Sequence, residues 1–363
     1  MDKPNRKNKK DPSKSTPLTS QNEGVKESIN PHYQRQKPNL PDVDEFIEGI
    51  RSGNRTLLSQ AITLIESSNN ENQRTGQQIL ERCIGDTGNS LRIGITGVPG
   101  VGKSTFIETL GTLIMEKGHR LAVLAVDPSS GRSKGSILGD KTRMQKLANH
   151  PNAYVRPSPA SGTLGGVART SRETMLLCEA AGFDTVVVET VGVGQSETTV
   201  HSMVDFFLLL MLAGAGDELQ GIKRGIIEMA DLIAINKADR ENVSAANKAR
   251  NEYENALSIL TNDSSEWKPT VLTCSALEGT GISEIWDEIE RYVQQARKSS
   301  RFSTRRSEQV VRWMYENLNR QLKDRFYHHP EIKNSIKTFE EKVEKGKMNP
   351  FKAAEELLKK LKL

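Results

Sequence analysis

Gly97-Val-Pro-Gly-Val-Gly-Lys-Ser104 follows an apolar run, Leu91 to Thr96, and precedes a helical pattern that begins at Thr105. It is G-x-x-x-x-G-K-[ST] in the strand–loop–helix setting that makes such a match meaningful. Glycines such as Gly100 and Gly102 let backbone N–H groups converge on phosphate oxygens, and the positive end of the following helix adds a favourable field. Lys103 is expected to reach the β- and γ-phosphates, and the Ser104 hydroxyl to ligate Mg²⁺. The loop announces a nucleoside triphosphate and leaves the base open.

Outward from this loop, residues 89–298 alternate short apolar runs with helix-length segments. The runs 91–97, 120–127, 153–156, 185–190, 206–213, 232–236 and 270–275 are the candidate strands. That alternation predicts an α/β fold, a P-loop NTPase whose mainly parallel sheet is flanked by helices on both faces. Residues 41–88 read as a helical extension, with Phe46, Ile47, Ile50, Leu57, Leu58, Ile62 and Ile65 at helical spacing. Residues 299–363 are helical again. Val311, Met314, Tyr315, Leu318, Leu322 and Phe326 form one stripe that is expected to dimerise the protein, and Asn349-Pro350 opens a last helix. Residues 1–40 have few large apolar side chains and are expected to be a disordered basic tail.

The base is read further along. Asn236-Lys237-Ala238-Asp239 ends a strand in the N-K-x-D pattern that selects guanine. The Asp239 carboxylate can accept from the ring N–H and the exocyclic amine together, and adenine offers neither donor, so a buried carboxylate would be left unpaired. The Lys237 stem can cover the base. Cys274-Ser275-Ala276-Leu277 ends the next strand as the S-A-[KL] turn that offers a backbone N–H to guanine O6. GTP is therefore favoured over ATP.

Val187 to Gln195 is a strand ending in Glu189 and a Gly-rich turn. It stands where Walker B and the D-x-x-G switch stand in GTPases. Glu189 reads either as a holder of Mg²⁺ or its waters or as a plain strand end, with the Gly192 amide placed to sense the γ-phosphate. Asp127 and Asp140 read either as further Mg²⁺ ligands or as caps. Lys223 or Arg224 reads either as a cation for the transferring phosphoryl group or as solvated helix surface.

Composition narrows the partners. The net charge of +5 is split into +5 over residues 1–40, −8 over 41–297 and +8 over 298–363, so the acidic body argues against a basic groove for nucleic acid, and the basic ends read either as solvated charge, the favoured reading, or as contacts for an acidic partner or membrane. No apolar run approaches the roughly 18 residues of a membrane span. Three widely spaced cysteines and the lack of an apolar leader suit a reducing cytoplasm. A nickel-delivering GTPase would need thiolate or imidazole ligands near the nucleotide, yet only six His are present and His328-His329 is the sole close pair. An ATP-dependent kinase, the other alternative, is opposed by N-K-A-D.

The set GVPGVGKST, AVDPSS, GSILGDKTRM, RPSPASGTLGGVART, VVVETVGVGQSE, AGAGDELQGIKRGI, INKAD and CSALEGTGI, running in order from about 90 to 285, resembles the methylmalonyl-CoA mutase-associated GTPases, the MeaB/ArgK family. The resemblance implies a GTP hydrolase with N-terminal helices and a C-terminal dimerisation arm. It implies a chaperone that gates adenosylcobalamin loading from an adenosyltransferase and protects or rescues a B12-dependent acyl-CoA mutase. Carried over by motif, it implies that Lys103, Ser104 and Thr105 contact phosphates. Ser104, Asp127, Asp140 and Glu189 would surround Mg²⁺, and Asn236, Lys237, Asp239, Ser275 and Ala276 would read guanine. Gln220 and Lys223 would lie in a further switch coupling partner binding to catalysis.

Overall fold

The computed structural model describes residues 40–126, 144–157, 164–190, 196–214, 224–260 and 266–360. Asp127, Asp140, Gly192, Gln220 and Lys223 lie outside the described residues.

Seven strands form one parallel sheet in the order β3-β2-β4-β1-β5-β6-β7. They are β1 (Leu91–Gly97), β2 (Leu121–Val126), β3 (Ala153–Arg156), β4 (Thr185–Thr190), β5 (Phe206–Leu212), β6 (Leu232–Asn236) and β7 (Thr270–Thr273). β1, β2, β4 and β6 are buried at every position, as mainly apolar strands covered on both faces are, and the buried residues include Arg92 and Thr96 of β1 and Glu189 and Thr190 of β4. β7 stops earlier than the apolar run suggested. Ser275 instead forms an isolated bridge with Thr280, because this stretch turns into a loop.

Among the described residues three α-helices precede the sheet: α1 (Val43–Arg51), α2 (Arg55–Glu66) and α3 (Asn70–Cys83). Asp42, Asn54 and Asn69 cap them by accepting from first-turn N–H groups. Their apolar sides, among them Phe46, Ile50, Leu58, Ile62 and Ile79, share one core with α6 (Leu164–Ala180) and the sheet face bearing Leu124, Val126 and Val188. The opposite face is covered by α4 (Lys103–Glu116), α5 (Gln145–Asn149), α9 (Val243–Leu260) and α10 (Ile282–Lys298), through Phe106, Leu110, Tyr253, Trp286 and Ile289. Two further short helices lie among the described residues of the body, α7 (Ser196–His201) and α8 (Arg224–Met229). Among the described residues no helix is long and apolar enough to cross a membrane.

Helices α11 (Arg301–His328), α12 (Pro330–Glu344) and α13 (Pro350–Lys359) follow, and Asn349 caps α13 by accepting from the Phe351 N–H. The basic end is not all solvated, as its composition suggested. Arg306 is buried against Asp205, donating from Nε at 2.8 Å and from Nη2 at 2.6 Å. Its guanidinium also reaches the carbonyls of Gly88 and Ser90. The other side of α11 is bare: Val311, Met314, Tyr315, Leu318 and Leu322 are each about half exposed, at 52, 56, 57, 49 and 48%.

Candidate functional site

β1 lies between β4 and β5, with Ile95 level with Glu189 on one side and Leu208 on the other. The chain leaves β1 towards β2 and later returns past it to β5. The crevice beyond the strands' carboxyl ends is thus the topological switch point where open α/β sheets bind ligands.

The loop after β1 is pinned by its apolar residues, with Val98 and Val101 buried while Gly100 faces solvent. Two glycines are dictated by space. A Cβ on Gly97 would lie 2.5 Å from the Leu210 carbonyl oxygen. Gly102 has φ +92° and would bring a Cβ within 3.1 Å of the Asn236 amide nitrogen. Gly102 is also the residue before α4 and supplies no side-chain cap, so no side chain closes off the first-turn N–H groups. Ser104 is half-buried in that turn and Thr105 exposed. Lys103 Nζ curls back to donate to the Gly97 carbonyl at 3.0 Å. Burial pushes its ammonium below the ordinary value, while the carboxylates of Glu189 and Glu197 pull it back up. Glu189 is 4% exposed near the end of β4, and the adjacent strand ends are tied by the Thr96 and Thr190 hydroxyls at 2.8 Å.

The second half of the site hangs from β6 and β7. Asn236 Nδ2 donates to the Val101 carbonyl at 2.8 Å, and Asn236 Oδ1 accepts from the Ala276 N–H at 3.0 Å. One amide therefore braces the loop after β1 and the loop after β7 together. Ser275 Oγ donates to Asp239 Oδ2 at 2.6 Å and accepts from the Glu278 N–H at 3.1 Å, which aims the carboxylate. Lys237 is exposed at φ +62°, a conformation rare for a residue with a side chain, and Asn242 Nδ2 holds its carbonyl at 2.6 Å. Leu277 is 73% exposed at the lip. The sequence reading expects this turn to offer a backbone N–H to guanine O6, and of its N–H groups that of Ala276 is engaged by Asn236.

The described residues thus place Gly100, Gly102, Lys103, Ser104, Thr105 and Glu189 at the ends of β1 and β4 and the head of α4. Asn236, Lys237, Asp239, Ser275, Ala276 and Leu277 adjoin them beyond β6 and β7, with Asn236 in contact with the loop after β1. A family model described as methylmalonyl-CoA mutase-associated GTPase MeaB matches residues 58–331. The chain belongs to this MeaB family.

Similar proteins agree. A probable GTPase of Mycobacterium tuberculosis is 50% identical over 316 residues, covering 87% of this chain and 94% of that protein. The GTPase ArgK of Escherichia coli is 53% identical over 270 residues, 74% of this chain and 82% of its own. The mitochondrial methylmalonic aciduria type A homolog of Mus musculus is 46% identical over 330 residues, 88% of this chain and 80% of its own. A crystal structure of a LAO/AO transport system kinase superposes with a TM-score of 0.71 at 39% identity, covering 88% of this chain and 98% of that one. This MeaB-family protein is a GTP hydrolase.

Sequence reasoning missed several residues that shape the MeaB-family site. Thr109 Oγ1, on α4, donates to the Ala276 carbonyl at 2.7 Å and ties the base loop to the phosphate helix. A threonine in a helix carries no pattern that would reveal this, since its partner is 167 positions away. The bond from Asn236 to Val101 was equally hidden, although the asparagine itself was legible within N-K-A-D.

Proposed function

We propose that this GTPase converts its nucleotide state into a conformational signal to a B12-dependent acyl-CoA mutase of the methylmalonyl-CoA type. In this reading it gates loading of adenosylcobalamin from an adenosyltransferase and protects the mutase from inactive cofactor. The observation that carries the nucleotide half is the Asn236 brace, which makes base recognition and the phosphate cradle one unit. Family membership supports the mutase as client.

The residues act in defined ways. Asp239, aimed by Ser275, accepts the two guanine donors, and the Lys237 stem covers the ring. The amides of the Gly97–Ser104 loop and the start of α4 receive the phosphates. Lys103 exchanges its bond to the Gly97 carbonyl for phosphate oxygens, placing positive charge where negative charge develops during phosphoryl transfer. Gln220 and Lys223 are the proposed catalytic partners from the coupling segment.

A magnesium ion suits the oxygen donors present, a hydroxyl at the head of α4 and a buried carboxylate on β4. Ser104 and Glu189 would hold it, with Asp127 and Asp140 completing the set, and the ion would neutralise charge on the phosphates. A cytoplasmic setting accords with the free thiols of Cys83, Cys178 and Cys274. The bare α11 stripe supports a homodimer built through the arm, because a continuous exposed apolar face is a docking surface.

The deciding experiment measures GTP turnover with and without a purified cobalamin-dependent acyl-CoA mutase. Slow turnover alone and a several-fold rise on adding the mutase are expected. Equal turnover in both conditions would remove the mutase as client.

A further inference from the structure

The nucleotide crevice lies at the carboxyl ends of the strands, whereas the arm is rooted at their opposite ends. Helix α7, between β4 and β5, touches both ends: the carboxylate of Glu197 in its first turn acts on the Lys103 ammonium, and the chain enters β5 by way of Ser202 to Asp205. The first turns of α11 grip this connection residue by residue. Arg305 Nη2 lies 3.3 Å from His201 Nε2. A guanidinium can only donate, so Nε2 is the acceptor and the ring is neutral, consistent with a His201 pKa lowered to about 4 by burial first and by Arg305 and Arg312 next. Gln309 Nε2 donates to the Val204 carbonyl at 2.8 Å. Arg306 pairs with Asp205 through two nitrogens, and Asp205 Oδ2 also accepts from the Arg92 N–H of β1 at 2.8 Å. Arg172 of α6 joins in, within 3.3 Å of Ser202 Oγ and paired with Glu316 of α11.

The arm therefore holds the connection directly at three of the five positions from His201 to Asp205, at His201, Val204 and Asp205, with Gln309 buried and Arg306 partly so. We infer that the His201–Asp205 connection, clamped by Arg305, Arg306 and Gln309, is the element through which the nucleotide state at the β4 end sets the seating of α11. Any displacement of α7 pulls on side chains whose other ends belong to the arm. Burial makes slippage costly, because a stretched bond here leaves a polar group without water to replace its partner. The bonds are geometric and the coupling is energetic, so the test must measure coupling itself.

Trp313 provides the readout. It lies on α11 with the Arg92 guanidinium 5.7 Å and the Arg172 guanidinium 5.2 Å from its ring, so its emission senses how the arm sits on the body. The inference rests on GTP binding and not on the mutase, so full-length protein and nucleotides suffice. Emission is recorded with GDP and with a non-hydrolysable GTP analogue, and Trp313→Phe assigns the signal. The wild type is expected to give different Trp313 emission in the two states. Gln309→Ala and His201→Phe are expected to cut that difference at least twofold, with nucleotide affinity and basal turnover within twofold of wild type. Arg320→Ala, further along the same helix, should leave the difference intact.

Hydrogen exchange on the unmutated protein supplies a second measurement, independent of how the variants fold. The amides of Ser202 and Met203, bonded to Thr198 and Val200 carbonyls, should exchange at different rates in the two states. Bound nucleotide with no difference in emission or exchange overturns the inference, as do variants that keep the full emission difference. Failure to bind GTP at all would instead overturn the nucleotide reading.

Discussion

Asn236 and Val101 are 135 positions apart, and the side-chain amide of the first donates to the carbonyl of the second at 2.8 Å. Because Asn236 Oδ1 also takes the Ala276 N–H, the loop after β1 and the loop after β7 share a single support.

Replacing that support should be felt in nucleotide binding. Asn236→Ala strands a buried carbonyl and a buried N–H, each at a cost of about 1–3 kcal/mol. GTP affinity is expected to fall about 10- to 100-fold, as read by titration of a fluorescent guanine nucleotide. An affinity within twofold of wild type would show that the brace does not support the site.

Asp239 is the residue proposed to read the base. Asp239→Asn replaces an acceptor by an amide that suits the xanthine O2, so GTP binding is expected to weaken on the order of 100-fold or more while xanthosine triphosphate gains. Ser275→Ala removes the hydroxyl bond that aims Asp239 and should cost only about 1 kcal/mol. Competition binding with both nucleotides separates the two effects, and unchanged preference in Asp239→Asn would take Asp239 out of the base site.

At the amino ends of the strands, Arg92 and Glu179 form a buried ion pair at 2.7 Å. Burial alone would push the Glu179 carboxyl up, but bonds from Arg92, Ser90 and Gly88 hold it below its ordinary value of 4.5. A depressed acid contributes stability that is present above 4.5 and lost as pH falls through the lower folded value. Asp231 has the opposite sign. Burial raises it from 3.8 to about 6, so the native form takes its proton first, and stability falls as pH rises across that interval. Urea unfolding between pH 7 and 3 should show Asp231→Asn flattening the limb from 6 to 4. Glu179→Gln should flatten the acid limb and cost about 3–5 kcal/mol at pH 7 by leaving Arg92 unpaired. An unaltered acid limb in Glu179→Gln would contradict the assignment.

The bare face of α11 makes a prediction about assembly. Met314→Asp with Leu318→Asp places charge on the apolar stripe without touching Arg306, Gln309 or Trp313. Sedimentation velocity is expected to give a dimer for the wild type and a monomer for this double variant, both with GTP binding intact. A double variant that remains dimeric would move the interface elsewhere.

The G-x-x-x-x-G-K-S loop between β1 and α4, the N-K-A-D segment at the end of β6 and all seven strand positions, to within a residue or two, were legible in the linear order of residues, and so were the stripe on α11 and the cap at Asn349. These are local properties. A cradle of amides needs eight adjacent residues, and a strand buried on both faces needs an unbroken apolar run. The links that turn those pieces into one machine were not legible. Asn236 to Val101, Arg306 to Asp205 and Arg92 to Glu179 join residues 135, 101 and 87 positions apart. In the linear order an arginine reads as solvated charge and a threonine such as Thr109 as neutral helix surface. Only the packing of α6, α10 and α11 against the strand ends removes water from these groups, and it is the loss of water that makes each polar side chain answerable to a single partner.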